Sequence, residues 1–260
     1  MRWHPRKGTK VQPRSNHFTF IITSYNCEKY VEKNLNSILS QNYDNYDIVY
    51  IDDASTDYTF EKAKQILEEK KFASDRLNIA RNSFNKGKME NVYNAVRKSK
   101  ENTIIVIVDG DDWLISEHVL TLLNNVYDDN VWMTNGSYKV DPGGSIVEPK
   151  IGSDYWKGNI RHKSWEFSHL GTFKRDLFLK IKLKDMIRKD GVFFQTSSDQ
   201  AMMWPMAEMA SEEHFFPIHE PLYVYNFQNP LSDHQVKRAD QLNTEQYIRN
   251  LKPYKKLDAL

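Results

Sequence analysis

The chain is poor in the residues that build covalent or metal frameworks. Of its 260 residues one is cysteine, Cys27, which excludes an internal disulfide set and a zinc site made of cysteine alone. Cys27 lies among apolar residues, where a thiol is buried and inert. The eight histidines are scattered, with no His-Glu-x-x-His or His-x-x-Glu-His spacing. Neither sign of charge is in excess: 36 Lys and Arg against 35 Asp and Glu leave a net charge of +1. No global field therefore points to nucleic acid or an anionic membrane. No apolar run approaches the roughly 18 residues needed to cross a bilayer. The first stretch, MRWHPRKGTKVQPRSNH, is basic and has no apolar centre, so it does not read as a secretory signal. Residues 1–16 are expected to form a disordered basic lead-in, and the protein to be cytoplasmic or a module of something longer.

What is present alternates. FTFIITS (18–24) reads as a strand and is followed by helical spacing at Val31, Leu35, Ile38 and Leu39. YDIVYID (46–52) is a second strand; after it Ser55 or Thr56 can cap a helix with the stripe Phe60, Ala63, Ile66 and Leu67. LNIARN (77–82) is a short strand, NKGKMENVYNAVRKSK a helix entered through Gly87, and Thr103 to Val108 a fourth strand. This order predicts an α/β fold with a mainly parallel central sheet and helices on both faces. In such sheets ligands sit beyond the carboxyl ends of the strands. Three of those ends carry polar groups that can converge: Ser24-Tyr25-Asn26, Asp52-Asp53, and Asp109 to Asp112. After about residue 140 the rhythm breaks. VDPGGSIVEPKIGSDYWKGN reads as a long loop, followed by a helical pattern from Ser198 to Met209 and a short strand, EPLYVYN. One compact domain is expected, with residues 17–140 binding a nucleotide and 141–260 supplying the other substrate's side.

The chemistry concentrates in NTIIVIVDGDDWLIS. Asp109, Asp111 and Asp112 follow a strand that reads as fully buried, and carboxylates so close repel one another. Asp112 or Ser116 can cap the helix holding Val119, Leu120 and Leu123, with the other aspartates solvated, but capping accounts for one aspartate of three. A hard divalent cation, Mg²⁺ or Mn²⁺, satisfies carboxylates together with phosphates and water. Gly110 lets the turn tighten and a ligand come close. Neither G-x-x-x-x-G-K-[ST] nor G-x-G-x-x-G occurs, so P-loop and dinucleotide sites lose their phosphate cradle. Asp53, at a strand end and outside the core, can accept from a uracil N3–H or a ribose hydroxyl, or form an Asx turn. Asn85, Lys86, Gly87 and Lys88, with Arg81, precede a helix start that favours phosphate, or form a solvated basic loop. Asp199 can be a general base or a first-turn helix carboxylate. His234 is singled out as a further metal or phosphate contact, against a plain surface histidine.

Taken together, IITSYNCEKYVEKNLNSILSQNY, DIVYIDDASTDYT, RNSFNKGKMENVYNAV and IIVIVDGDDWL resemble the family 2 glycosyltransferases, whose nucleotide-sugar fold is called GT-A. HLGTFKRDLF and SSDQAMMWPMAEMA resemble that family's acceptor-side segments. The resemblance implies an inverting transfer from a UDP-sugar to a hydroxyl of a glycan or protein acceptor, dependent on Mn²⁺ or Mg²⁺. It assigns Ser24, Tyr25, Asn26, Asp53, Asn85, Lys86, Gly87 and Asp109 to the donor, and Asp109 and Asp111 to the metal as the D-x-D pair. Asp199 falls at the catalytic base, though Ser198 stands where the family often has Glu; Glu208 and Asp190 are alternative bases. Rival readings are a catalytically inactive nucleotide-sugar-binding scaffold and a sugar-1-phosphate nucleotidyltransferase. The latter should carry a Gly-rich loop with Arg, which TSYNCEKYV lacks.

Overall fold

The computed structural model describes residues 15–128, 130–167, 169–230 and 238–260. The alternating strands and helices of the first half form as expected: β1 (His17–Ser24), α1 (Val31–Leu39), β2 (Tyr46–Asp52), α2 (Thr59–Glu69), β3 (Leu77–Arg81), α3 (Lys88–Lys98) and β4 (Thr103–Asp109). Then come β5 (Trp113–Leu114), α4 (Val119–Val126), β6 (Met133–Asp141), β7 (Ile146–Val147), β8 (Gly171–Lys174), α5 (Arg175–Leu179), α6 (Ser198–His214) and β9 (Phe215–Asn226). The last helix is α7 (Arg238–Arg249).

One sheet in the order β3-β2-β1-β4-β8-β6-β9-β5 runs through the molecule, with β7 added to β6. The first four strands are parallel: β1, β2 and β4 are largely buried runs between helices, and β3 is the exposed edge strand. The rest is mixed: β8 is antiparallel to both β4 and β6, whereas β9 runs parallel to β6. Strand alternation sorts the core into two layers. Phe18, Phe20 and Ile22 pack with α1, α2 and α4, while Ile21, Ile51 and Ile105 pack with α3, α5 and α6. Helix α6 is apolar almost all round and sits inside its layer, and non-helical backbone at Ser211 breaks it soon after Met209.

Four expectations change. Ser15 and Asn16 belong to the fold rather than to a loose lead-in: Asn16 bonds Asn124 of α4 and the Tyr127 carbonyl just after it, and Asn45 donates to the Ser15 carbonyl. The supposed loop after residue 140 begins as a hairpin, with Tyr138 opposite Val147 and Lys139 opposite Ile146. The closing strand is longer than EPLYVYN, since β9 continues β6's pairing back to Phe215. No side chain caps α2; Ser55 instead accepts from the Asn26 amide, and Asp57 receives the Thr59 amide and hydroxyl. Among the described residues no helix is long and apolar enough to cross a membrane.

Strand order reverses at β1: β2 and β3 lie on one side of it and β4 on the other. This is the switch point at which open α/β sheets form a crevice. The pairing of Thr23 with Asp109 brings the two strand ends level there.

Candidate active site

A cleft opens over that switch point, lined by residues of both halves, including Ser24, Asp53, Lys88, Asp109, His169 and Asp199. Its floor is the Asp109–Asp112 turn. The turn folds tightly because Gly110 donates to the Thr23 carbonyl (3.0 Å), and a Cβ there would stand 2.1 Å from Ser24 Oγ. Glycine is thus demanded by packing of β1 against the turn, before any ligand arrives. From below, the buried Asn34 of α1 donates to the carbonyls of Asp109 (2.9 Å) and Asp112 (2.7 Å).

The three carboxylates have different fates. Asp112 is buried and accepts from Tyr223 OH (2.8 Å) and the Asn226 amide (2.7 Å), so it neither caps α4 nor faces water. Burial, then Asp111 and Asp109, push its carboxyl well above the usual range. Asp111 accepts from Asn229 (2.7 Å), and burial followed by Asp109 raises it too. Burial also works against charge on Asp109, but Lys88 Nζ lies 2.5 Å from its Oδ1 and brings it below the usual range. The positive partner that the sequence left open is thus supplied, for one carboxylate, by the first residue of α3.

Asp53 is the sharpest correction to the sequence reading. Its side chain is buried, not outside the core, and accepts from Asn82 (2.7 Å), the Lys86 amide (2.9 Å) and the Gly87 amide (2.8 Å). Those bonds fix the loop that enters α3 at Gly87, whose φ of +83° suits glycine. The local turn at this strand end is held by Asp52, which receives the Ser55 amide three residues on (3.1 Å). Asp53→Ala is therefore expected to lower stability by about 1–3 kcal/mol, since it strands buried donors. Thermal melts check this; an unchanged melting temperature would contradict the role in the loop.

Of the donor-side residues expected from sequence, Ser24, Tyr25, Asp53, Asn85, Gly87 and Asp109 line the cleft, together with Asp111 and Asp199. Asn26 and Lys86 do not. Asn26 adopts a left-handed conformation and ties the β1 end to the Thr56 amide, and the Lys86 side chain pairs with Glu90. His234 lies outside the described residues. Asp199 opens α6 on the opposite wall; burial raises its carboxyl, and Lys88 opposes that shift. The alternative bases are elsewhere: Glu208 is locked to buried Arg161, and Asp190 to Arg188 at the surface.

His169 was not anticipated. Its ring stacks on Tyr223 (4.8 Å between centroids), and burial lowers it to about 4, leaving a neutral imidazole at pH 7. It opens HLGTFKRDLF, one of the segments that resemble the family, just before a strand that borders β4, and no metal spacing in the sequence singled it out. Asp109, Asp112 and His169 offer ligand atoms all within 4.8 Å of one another. Carboxylate oxygens with a neutral imidazole suit Mn²⁺, so the residues fit a divalent cation. That group differs from the expected Asp109–Asp111 pair because the turn sends Asp111 toward Asn229.

The Glycosyl transferase family 2 model matches residues 19–200. Glycosyltransferase GlyA of Streptococcus pneumoniae is 30% identical over 120 residues, 46% of this chain and 16% of the relative. WfgD of Escherichia coli, a UDP-Glc:alpha-D-GlcNAc-diphosphoundecaprenol beta-1,3-glucosyltransferase, is 28% identical over 129 residues, 50% of this chain and 48% of the relative. The chain thus spans about half or less of the length of these curated relatives. Among solved structures, S. aureus TarS 1-349 in complex with UDP-GlcNAc superposes with a TM-score of 0.61 at 18% identity, covering 89% of this chain and 65% of TarS 1-349. The Pyrobaculum calidifontis mannosyltransferase PcManGT, in complex with GDP-Man and Mn²⁺, gives 0.63 at 20% identity, covering 96% and 70%. These likenesses establish the GT-A fold. The chain belongs to glycosyl transferase family 2.

Proposed function

We propose that the protein transfers a sugar from a UDP-sugar to an acceptor hydroxyl with inversion, assisted by a divalent cation. The observation that carries this reading is the meeting of Asp109, Asp111, Lys88 and Asp199 in one cleft at the sheet's switch point. Residues 17–140 hold most of the donor side, and 141–260 bring Asp199 and the acceptor side. Asp109, with Asp112 and His169, would hold the cation, which as a Lewis acid stabilises the departing diphosphate. Asp199 takes the proton from the acceptor hydroxyl as that oxygen attacks the anomeric carbon from the face opposite the diphosphate. Burial, which raises this carboxyl, makes it a stronger base than a solvated aspartate. Uridine is favoured over guanosine by the family resemblance, and a relative that acts on UDP-Glc supports it.

A thermal-shift panel of UDP-, GDP- and dTDP-sugars, with Mn²⁺ and with EDTA, tests the reading. At 100 times its Kd, a ligand that binds the folded chain alone adds about 2.7 kcal/mol of stability. UDP-sugars with Mn²⁺ should give the largest rise, and EDTA should remove most of it. An equal rise in EDTA would take the metal out of the site, and no rise with any nucleotide sugar would sink the donor assignment.

A further inference from the structure

Among the described residues lining the cleft, Lys88 is the one lysine or arginine, and it shares that cleft with Asp109, Asp111, Asp112 and Asp199. Its position is built. Asp53 holds the Lys86 and Gly87 amides, and Gln195 donates to the Lys86 carbonyl (3.2 Å). A Cβ on Gly87 would come within 2.6 Å of Gln195 Oε1. The start of α3 is therefore clamped from both halves of the chain, and Lys88 leaves it toward the floor. Its ammonium lies 2.5 Å from Asp109 Oδ1. Asp109 is also a member of the one group of described residues that can surround a divalent ion. A cation entering there meets an ammonium already on one of its ligands, and like charges at that range repel strongly.

We infer that Lys88 is an exchangeable counter-ion: it holds Asp109 while the site is without donor, competes with the divalent cation for that carboxylate, and moves to the donor's diphosphate when the cation takes Asp109. This rests on the nucleotide-sugar reading for its second half only. The four-carbon stem of lysine lets the ammonium turn without moving α3. The helix N-terminus beside it offers a positive field to the same phosphates. Charge balance gives the direction. A diphosphate brought into a cleft lined by five aspartates needs both cations, and Lys88 no longer has Asp109 to itself once the metal is bound. Lys88 is thus assigned to the leaving group and to gating of the metal.

The test uses the full chain and the variant Lys88→Met, with a melt to verify folding. Mn²⁺ affinity is read without nucleotide by electron paramagnetic resonance, and UDP and uridine affinities with saturating Mn²⁺ by calorimetry. Removing the competing ammonium should tighten nucleotide-free Mn²⁺ binding several-fold. UDP should bind roughly 10–100-fold more weakly, the weight of one charge-assisted hydrogen bond, and uridine within about twofold of wild type. Opposite movements of metal and UDP affinity are something a merely structural lysine would not produce. Unchanged or weaker Mn²⁺ binding, or equal loss for UDP and uridine, would overturn the inference. If the Met variant does not fold, Lys88→Arg replaces it; Arg should keep the preference for UDP over uridine, and losing that preference also overturns it. A wild-type chain that binds neither UDP nor uridine would refute the transferase reading, while the nucleotide-free Mn²⁺ comparison still decides the competition.

Discussion

Asp199→Asn should retain UDP and Mn²⁺ affinity and lose sugar transfer by roughly 10²–10⁴-fold, the usual weight of a general base. The amide keeps the shape of the side chain and its place in the first turn of α6, but it cannot accept a proton. In the proposed function the donor is assigned to Asp109 and the wall across from Asp199, so donor affinity should hold. Wild type should also show an acid limb in kcat/KM. A base must be ionised, and burial raises Asp199 above the ordinary aspartate value of about 3.9, so the rate falls as pH drops through that raised value. Donor turnover with acceptor and UDP affinity, both measured on one preparation, check the assignment. Near wild-type transfer by Asp199→Asn would return the residue to a first-turn helix carboxylate.

Far from the chemistry, Arg161→Met should be the most damaging single change to the fold. Arg161 is fully buried and forks onto Glu208 through Nε (2.6 Å) and Nη2 (2.8 Å), with Nη1 on the Ile248 carbonyl (2.9 Å). Glu208 in turn accepts from the Tyr254 amide (2.9 Å), so one ion pair joins α6 to the end of α7 and the chain beyond it. Removing the arginine leaves a buried carboxylate without its counter-charge. Such losses run to about 3–5 kcal/mol, or roughly 6–20 °C of melting temperature at 2–4 °C per kcal/mol. The double variant Arg161→Met, Glu208→Leu should recover much of this, since neither charge remains to be buried. A single variant that melts with wild type would mean the pair is solvated.

The first half of the fold was legible because its signals are local. Buried runs such as FIITS and TIIVIV, each followed by 3.6-residue spacing, specify strands and helices within a few residues of themselves, and their order implies a parallel sheet with its ligand edge. The cluster at Asp109 to Asp112 was equally plain, since charge directly after a buried strand is a local contradiction. The partners of those charges were not legible. Asp112 lies 111 residues from Tyr223 and 78 from Asn34, and Asp111 lies 118 from Asn229. No periodicity or spacing links residues so far apart, and the second half lacks the strict alternation that would have placed β9 and β8 beside the turn. Composition and pattern by themselves determined an α/β sheet with an acidic edge. Tertiary structure alone decided that Asp53 holds a loop, that Lys88 neutralises Asp109, and that His169 stands beside Asp109 and Asp112. A buried charge takes whichever donor the folded chain brings within about 3 Å, and that distance is set by packing across the sheet.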